Sequence, residues 1–158
     1  MKYRYGIASL YANPLHAGHL DYLEGAKSQC DYLIVIVNND HQVDIKVSKV
    51  FMDEEHRHRI VQALKVVDEA FISFDQDSSV SKTLYSLVKR IKEERTGGIF
   101  SFLNKDRFLF FNSGDRNPQT YNKQEEEVCN KLGIKMVFLP MEKKYSSSLL
   151  KELDKDRV

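Results

Sequence analysis

The stretch Tyr32-Leu33-Ile34-Val35-Ile36-Val37 limits the architecture of this chain more than any other. It is an unbroken apolar run rich in β-branched residues, with no polar position to leave one face wet. A strand of this kind is expected where both faces are covered, as in a parallel sheet packed between helices. Parallel neighbours cannot be joined by a hairpin and need a crossover connection, usually a helix. The run therefore predicts an α/β fold, and the flanking sequence should alternate strands with helices.

It does. Residues 3–10 read as a buried strand and 20–28 as an amphipathic helix. Asn38-Asn39-Asp40 closes the central apolar run, and a polar segment extends through Lys49. Asp53 reads as the N-cap of a helix to about Val67, with Ile60, Val61, Leu64 and Val67 on its core face. A short strand at 70–73 and a polar loop at 75–81 precede a helix at 82–95, with Leu84, Leu87, Val88 and Ile91 inward. Thr96-Gly97-Gly98 stops that helix. Residues 99–105 carry no clear period. A strand at 108–111, a helix at 119–132 with Gly133 as its left-handed cap, a strand at 136–139 and a helix at 147–154 complete the pattern. No repeat, low-complexity tract or linker divides it, so residues 1–158 are expected to form one domain. The expected architecture is a doubly wound, parallel five-stranded sheet with helices on both faces, in which ligands bind beyond the carboxyl ends of the strands. The polar strand ends at 13–19, 38–40, 75–79 and 112–117 would converge there.

Composition narrows the partners. The 24 basic and 23 acidic residues leave a formal charge of +1, which gives no global reason to expect nucleic acid or an anionic membrane. Cys30 and Cys129 have no metal-like spacing and read as free thiols in a reducing compartment. No stretch approaches a membrane span, and no signal-peptide pattern precedes the first strand, so a cytoplasmic location is expected.

Three stretches carry candidate chemistry. The first is Asn13-Pro14-Leu15-His16-Ala17-Gly18-His19, where the first strand gives way to the first helix. A helix N-terminus has unpaired N–H groups and partial positive charge, which favours phosphate. His16 and His19 are three apart and straddle the helix start, and Gly18 lets a phosphate approach the backbone. Imidazole N–H groups can donate to phosphate oxygens as charge builds in a phosphoryl or nucleotidyl transfer. The same pattern also suits two surface histidines at a tight turn. Zinc is not expected, since no further ligands arrive at a recognisable spacing. The second stretch is the basic cluster Lys46, Lys49, His56, Arg57, His58 and Arg59, which reads either as a solvated helix face or as charge near a triphosphate. The third is Tyr145-Ser146-Ser147-Ser148, whose hydroxyls serve equally as caps or as a second phosphate cradle.

Taken together, N-P-x-H-x-G-H after a strand and S-S-S before a last helix resemble the H-x-G-H nucleotidyltransferase superfamily. The similarity is best to its cytidylyltransferase-like branch, of which glycerol-3-phosphate cytidylyltransferase is the model. Cys30-Asp31-Tyr32-Leu33, Glu55-His56-Arg57, Val67-Asp68-Glu69 and Phe138-Leu139-Pro140 follow that branch in order. The resemblance implies a Rossmann-like fold, with His16, His19, Lys46 and Arg57 stabilising the transition state. It implies nucleotide contacts at Tyr11, Ala12, Asn13, Gly18, Gly114, Asp115, Tyr145, Ser146, Ser147 and Ser148. The branch's G-T/S-F reads Leu10-Tyr11-Ala12 here, and its C-terminal arginine falls on Met141, with Lys143 or Lys144 nearby. The implied reaction is attack by an acceptor phosphate on the α-phosphate of CTP, with Mg²⁺ accompanying the triphosphate, a phosphorylated alcohol or sugar as acceptor, and a possible homodimer as assembly. ATP is the alternative nucleotide, as in pantetheine-phosphate and nicotinamide-mononucleotide adenylyltransferases; a nucleotide-binding module without turnover is the other alternative.

Overall fold

A computed structural model of the chain describes residues 3–46, 48–96, 107–113 and 121–140. Within them the elements run β1 (Arg4–Leu10), α1 (Ala17–Lys27), β2 (Tyr32–Val37), α2 (Asp40–Ile45), α3 (Glu54–Gln62), β3 (Glu69–Ile72), α4 (Ser81–Thr96), β4 (Arg107–Asn112), α5 (Lys123–Leu132) and β5 (Ile134–Phe138). The five strands form one sheet in the order β3-β2-β1-β4-β5. Every pairing is parallel. The order reverses between β1 and β4, which is the switch point where a doubly wound sheet opens its ligand crevice.

The period-2 geometry of each strand sorts its side chains onto two cores. Ala8, Leu10, Leu33, Val35, Val37, Leu109 and Phe111 pack with Tyr22, Leu23 and Ala26 of α1 and Val61 of α3. Tyr5, Ile7, Ile34, Ile36, Phe108 and Phe110 pack on the other face with Leu84 and Val88 of α4 and Cys129 of α5. β2 is buried on both sides as its sequence requires: Leu33 through Val37 are each at most 1% exposed. On the α1 face β1 comes very close to its neighbours at Gly6, where an added Cβ would lie 2.6 Å from Cys30 Sγ and 2.8 Å from a Phe111 ring carbon. Both cysteines are free, and burial raises their thiols, Cys30 to about 11 and Cys129 to about 12. Among the described residues no helix is long and apolar enough to cross a membrane.

Several boundaries differ from the sequence expectation. α1 begins at Ala17 rather than near residue 20, because His16 caps it. The polar segment after β2 contains α2, capped by Asn39, whose side chain accepts from Gln42 N while Gln42 returns a bond to the Asn39 N–H. α3 has the expected Asp53 cap but ends at Gln62; Ile60 is 38% exposed, and Val67 reaches the core from beyond the helix. β5 starts at Ile134, two residues early, directly after Gly133, which caps α5 with φ +70° as expected. The expected last helix at 147–154 and the segment 99–105 lie outside the described residues.

Candidate functional site

The link from β1 to α1 is held in one conformation by several independent ties. Ala12 is buried and has φ +52°, a left-handed conformation unfavourable to a residue with a Cβ. Asn13 is 4% exposed, and its amide spans two strands of chain: Nδ2 donates to the Lys49 carbonyl and Oδ1 accepts from Phe51 N, both at 2.8 Å. The Asn13–Pro14 peptide is cis. These contacts pin the turn against the segment leading into α3.

At the start of α1 the two histidines cap the helix for one another. His16 Nδ1 accepts from Gly18 N, and His19 Nδ1 accepts from His16 N, each at 3.1 Å. The rings stack with centroids 3.8 Å apart. A backbone N–H can only donate, so both Nδ1 atoms carry lone pairs. Each neutral ring therefore carries its proton on Nε2, and the pair presents two N–H donors side by side at a helix N-terminus. Burial keeps His16 below the usual histidine range. His19 is pushed down to about 3, first by burial and then by the positive charges of His16 and Lys46.

Burial of the His19 ring beside His16 and Lys46 makes stability depend on pH. Unfolded histidines take a proton near pH 6.5, whereas folded His19 resists one down to about 3. The unfolded chain binds more protons in that window, so stability is full above about pH 6.5 and is lost as pH falls. For one histidine the slope reaches about 1.4 kcal/mol per pH unit. Urea unfolding between pH 7 and 5, above the main carboxylate range, should show this slope, and His19→Gln should flatten it. An unchanged slope in that variant would remove His19 as its source.

The remaining sequence candidates divide between exposed and internal positions. Lys46 is exposed at the end of α2; its Nζ lies 4.4 Å from the centre of the half-buried Tyr11 ring, and its charge acts on His19. Gly18 is buried, with its N–H committed to the His16 cap. Arg57 does not reach into open space. It is fully buried: Nε donates to the Met52 carbonyl at 2.9 Å, and one terminal nitrogen donates to the carbonyls of Tyr11 (2.8 Å) and Asn38 (2.6 Å). The other terminal nitrogen meets Asp40 Oδ1 at 2.6 Å. In this geometry the Arg57 guanidinium joins the carboxyl ends of β1 and β2. The rest of the basic cluster disperses, with His56 paired to Asp53 and His58 Nε2 at the Ala70 carbonyl. Gly114, Asp115, Tyr145, Ser146, Ser147 and Ser148 lie outside the described residues, as does Met141.

Sequence reasoning missed the polar support beside this site. Asn39, Gln42 and Asp75 are all buried and fasten α2 to the ends of β2, β3 and the start of α4. The Asn39-x-x-Gln42 spacing is a capping-box signal that could have revealed the helix.

Comparison with known proteins adds the following. A family model described as cytidylyltransferase-like matches residues 12–153. An FAD synthase from Ferroglobus placidus is 40% identical over 80 residues, 51% of this chain and 48% of that protein. An FAD synthase from Aciduliprofundum boonei is 30% identical over 135 residues, 85% of this chain and 74% of that protein. The first matches span only about half the length of those curated relatives. The crystal structure of a lipopolysaccharide core biosynthesis protein from Thermoplasma volcanium superposes with TM-score 0.61 at 23% identity, covering 92% of this chain and 100% of that one, and so shares the fold.

Proposed function

The chain belongs to the cytidylyltransferase-like family of nucleotidyltransferases, and from that premise we propose that it is an adenylyltransferase acting on ATP and a phosphate-bearing acceptor. The observation that carries nucleotidyl transfer is the reciprocal His16–His19 cap, which fixes two Nε2–H donors at a helix N-terminus beside the switch point. Donors held in place before the reaction need no reorganisation as negative charge develops on the transferring phosphate. Their neutrality suits a site that must release a charged product. An acceptor phosphate oxygen attacks the α-phosphorus of ATP in line; the new P–O bond joins acceptor and AMP, the bond to the β-phosphate oxygen breaks, and pyrophosphate leaves. No side chain needs to form a covalent bond, so positioning and charge do the catalysis. Lys46, close enough to depress the His19 pKa, adds positive charge on the same side.

The choice of ATP over the CTP suggested by sequence resemblance rests on the relatives named FAD synthase. FAD is flavin mononucleotide joined to AMP through a pyrophosphate link, so flavin mononucleotide is the first acceptor to test. Magnesium would enter with the triphosphate, held by phosphate oxygens and water, and would offset their charge. Among the described residues no group of three or more His, Cys, Asp or Glu is placed to hold a metal ion.

Pyrophosphate release with ATP or CTP, against flavin mononucleotide and other phosphate monoesters, tests the reading. ATP with flavin mononucleotide should turn over. Preference for CTP would overturn the adenylyl assignment, and tight ATP binding without release across the acceptors would favour a binding module.

A further inference from the structure

Polar side chains end several strands at the carboxyl edge of the sheet, and beside β2 and β3 they are spent within the protein. Asn38 Nδ2 donates to Gln42 Oε1 at 3.1 Å, and Asn39 Nδ2 to the carbonyls of Ser73 and Asp75 at 2.9 Å. Gln42 Nε2 donates to the carbonyls of Asp77 and Ser79, and the Asp75 carboxylate takes the N–H groups of Lys82 and Thr83. The end of β4 is different. Asn112 is 2% exposed, yet its Nδ2 has no hydrogen-bond partner among the described residues. A buried amide left unpaired is costly and calls for an explanation. Its main-chain carbonyl accepts from Leu139 N at 2.7 Å.

The strand register shows what surrounds it. Ile7 lies beside Phe110, so two residues further on Ser9 lies beside Asn112. Ser9 also pairs with Ile36, and Asn112 with Phe138. Alternation from Phe108 and Phe110 puts this row on the face covered by α4 and α5. Ser9 is only half-buried although β1 is the central strand, so the packing opens at this end of the sheet. Phe138 is half-buried as well, and its ring centre lies 6.2 Å from that of Tyr121 at a tilt of 56°. The row thus offers a hydroxyl and an unspent amide beside an aromatic wall. It lies across the switch point from the turn that carries the histidines, one strand spacing of about 4.8 Å from β1.

We infer that Asn112 reads the base of the bound nucleotide: its side-chain amide hydrogen-bonds the edge of adenine, with Ser9 beside it and Phe138 and Tyr121 packing against the ring. A carboxamide pairs one donor with one acceptor, which matches the adjacent amino group and ring nitrogen on adenine. Flat apolar rings suit the face of a neutral heterocycle and offer nothing to a phosphate. The inference rests on the adenylyl-transfer reading for the identity of the base.

Calorimetric binding of ATP, GTP, CTP and inorganic tripolyphosphate to the wild type, Asn112→Ala and Asn112→Leu tests it. Both variants should bind ATP about ten- to a hundredfold more weakly. Their preference for ATP over GTP and CTP should collapse, and tripolyphosphate affinity should stay unchanged. Asn112→Leu, which fills similar volume and removes the orphan amide, should melt no lower than the wild type, a result that a purely structural asparagine would not give. Unchanged base preference in both variants overturns the inference, as does loss of flavin mononucleotide binding with base preference intact. If the wild type prefers CTP, the adenylyl reading fails, and Asn112 is then judged by whether that preference collapses.

Discussion

His16→Asn and His19→Gln should each preserve the fold and lower pyrophosphate release at saturating substrates by at least about a hundredfold. The two substitutions are chosen because each histidine has two parts to play. Through Nδ1 the rings cap α1, accepting from Gly18 N and His16 N. Through Nε2 they present the donors assigned to the phosphate. Asparagine at the N-cap and glutamine three residues later form a standard capping box, so their side-chain oxygens can take over the Nδ1 bonds. Neither reaches where an imidazole Nε2–H would point. Replacing either residue with alanine would also cost about 0.5–2 kcal/mol of cap energy and confuse the readings. Thermal melts near wild type together with lost turnover would separate catalysis from capping. Full activity in His16→Asn and His19→Gln would reduce the pair to a helix cap and take away the main support for nucleotidyl transfer at this turn.

The fold was legible in sequence because its determinants are local. An uninterrupted run such as 32–37 has few environments that suit it, and the apolar spacing at Leu84, Leu87, Val88 and Ile91 sets the inward face of α4. The misplaced boundaries have local causes too. Histidine is an uncommon N-cap, so α1 appeared to start after Gly18. α2 is a six-residue helix with Val43 as its one buried apolar residue, too little for a period to show. Leu64 and Val67 continue the helical spacing of α3 after the backbone has turned at Ala63.

The site was legible only as residue types. His16 and His19 do come together, as their spacing implied, and Lys46, which the family resemblance singled out, lies close enough for its charge to act on His19. What their neighbours do depends on contacts between distant segments. Asn13 is singled out by the family resemblance, and the tie of its amide to Lys49 and Phe51 is visible only in the fold. Asn112 reads as a strand end, and its unpaired nitrogen emerges only once the register of β1, β4 and β5 is known.

Arg57 is the clearest case, and it carries the largest expected loss of stability. Arg57→Ala should destabilise the protein by about 3–5 kcal/mol, read as a lower urea midpoint with little change in slope. Three backbone carbonyls, of Met52, Tyr11 and Asn38, would lose the donor that the fully buried Arg57 side chain gives them. Asp40 contributes less, because its side chain is 34% exposed and water can replace the guanidinium. Lysine keeps the charge but has one nitrogen where the planar fork uses three, so Arg57→Lys should recover only part of the loss. The same bonds hold the ends of β1 and β2 in register behind the histidine turn, and both variants should lose turnover along with stability. An Arg57→Lys protein that melts like the wild type yet binds ATP poorly would instead place the guanidinium on the phosphate. The geometry favours the first outcome, since the guanidinium is enclosed by the oxygens it already serves.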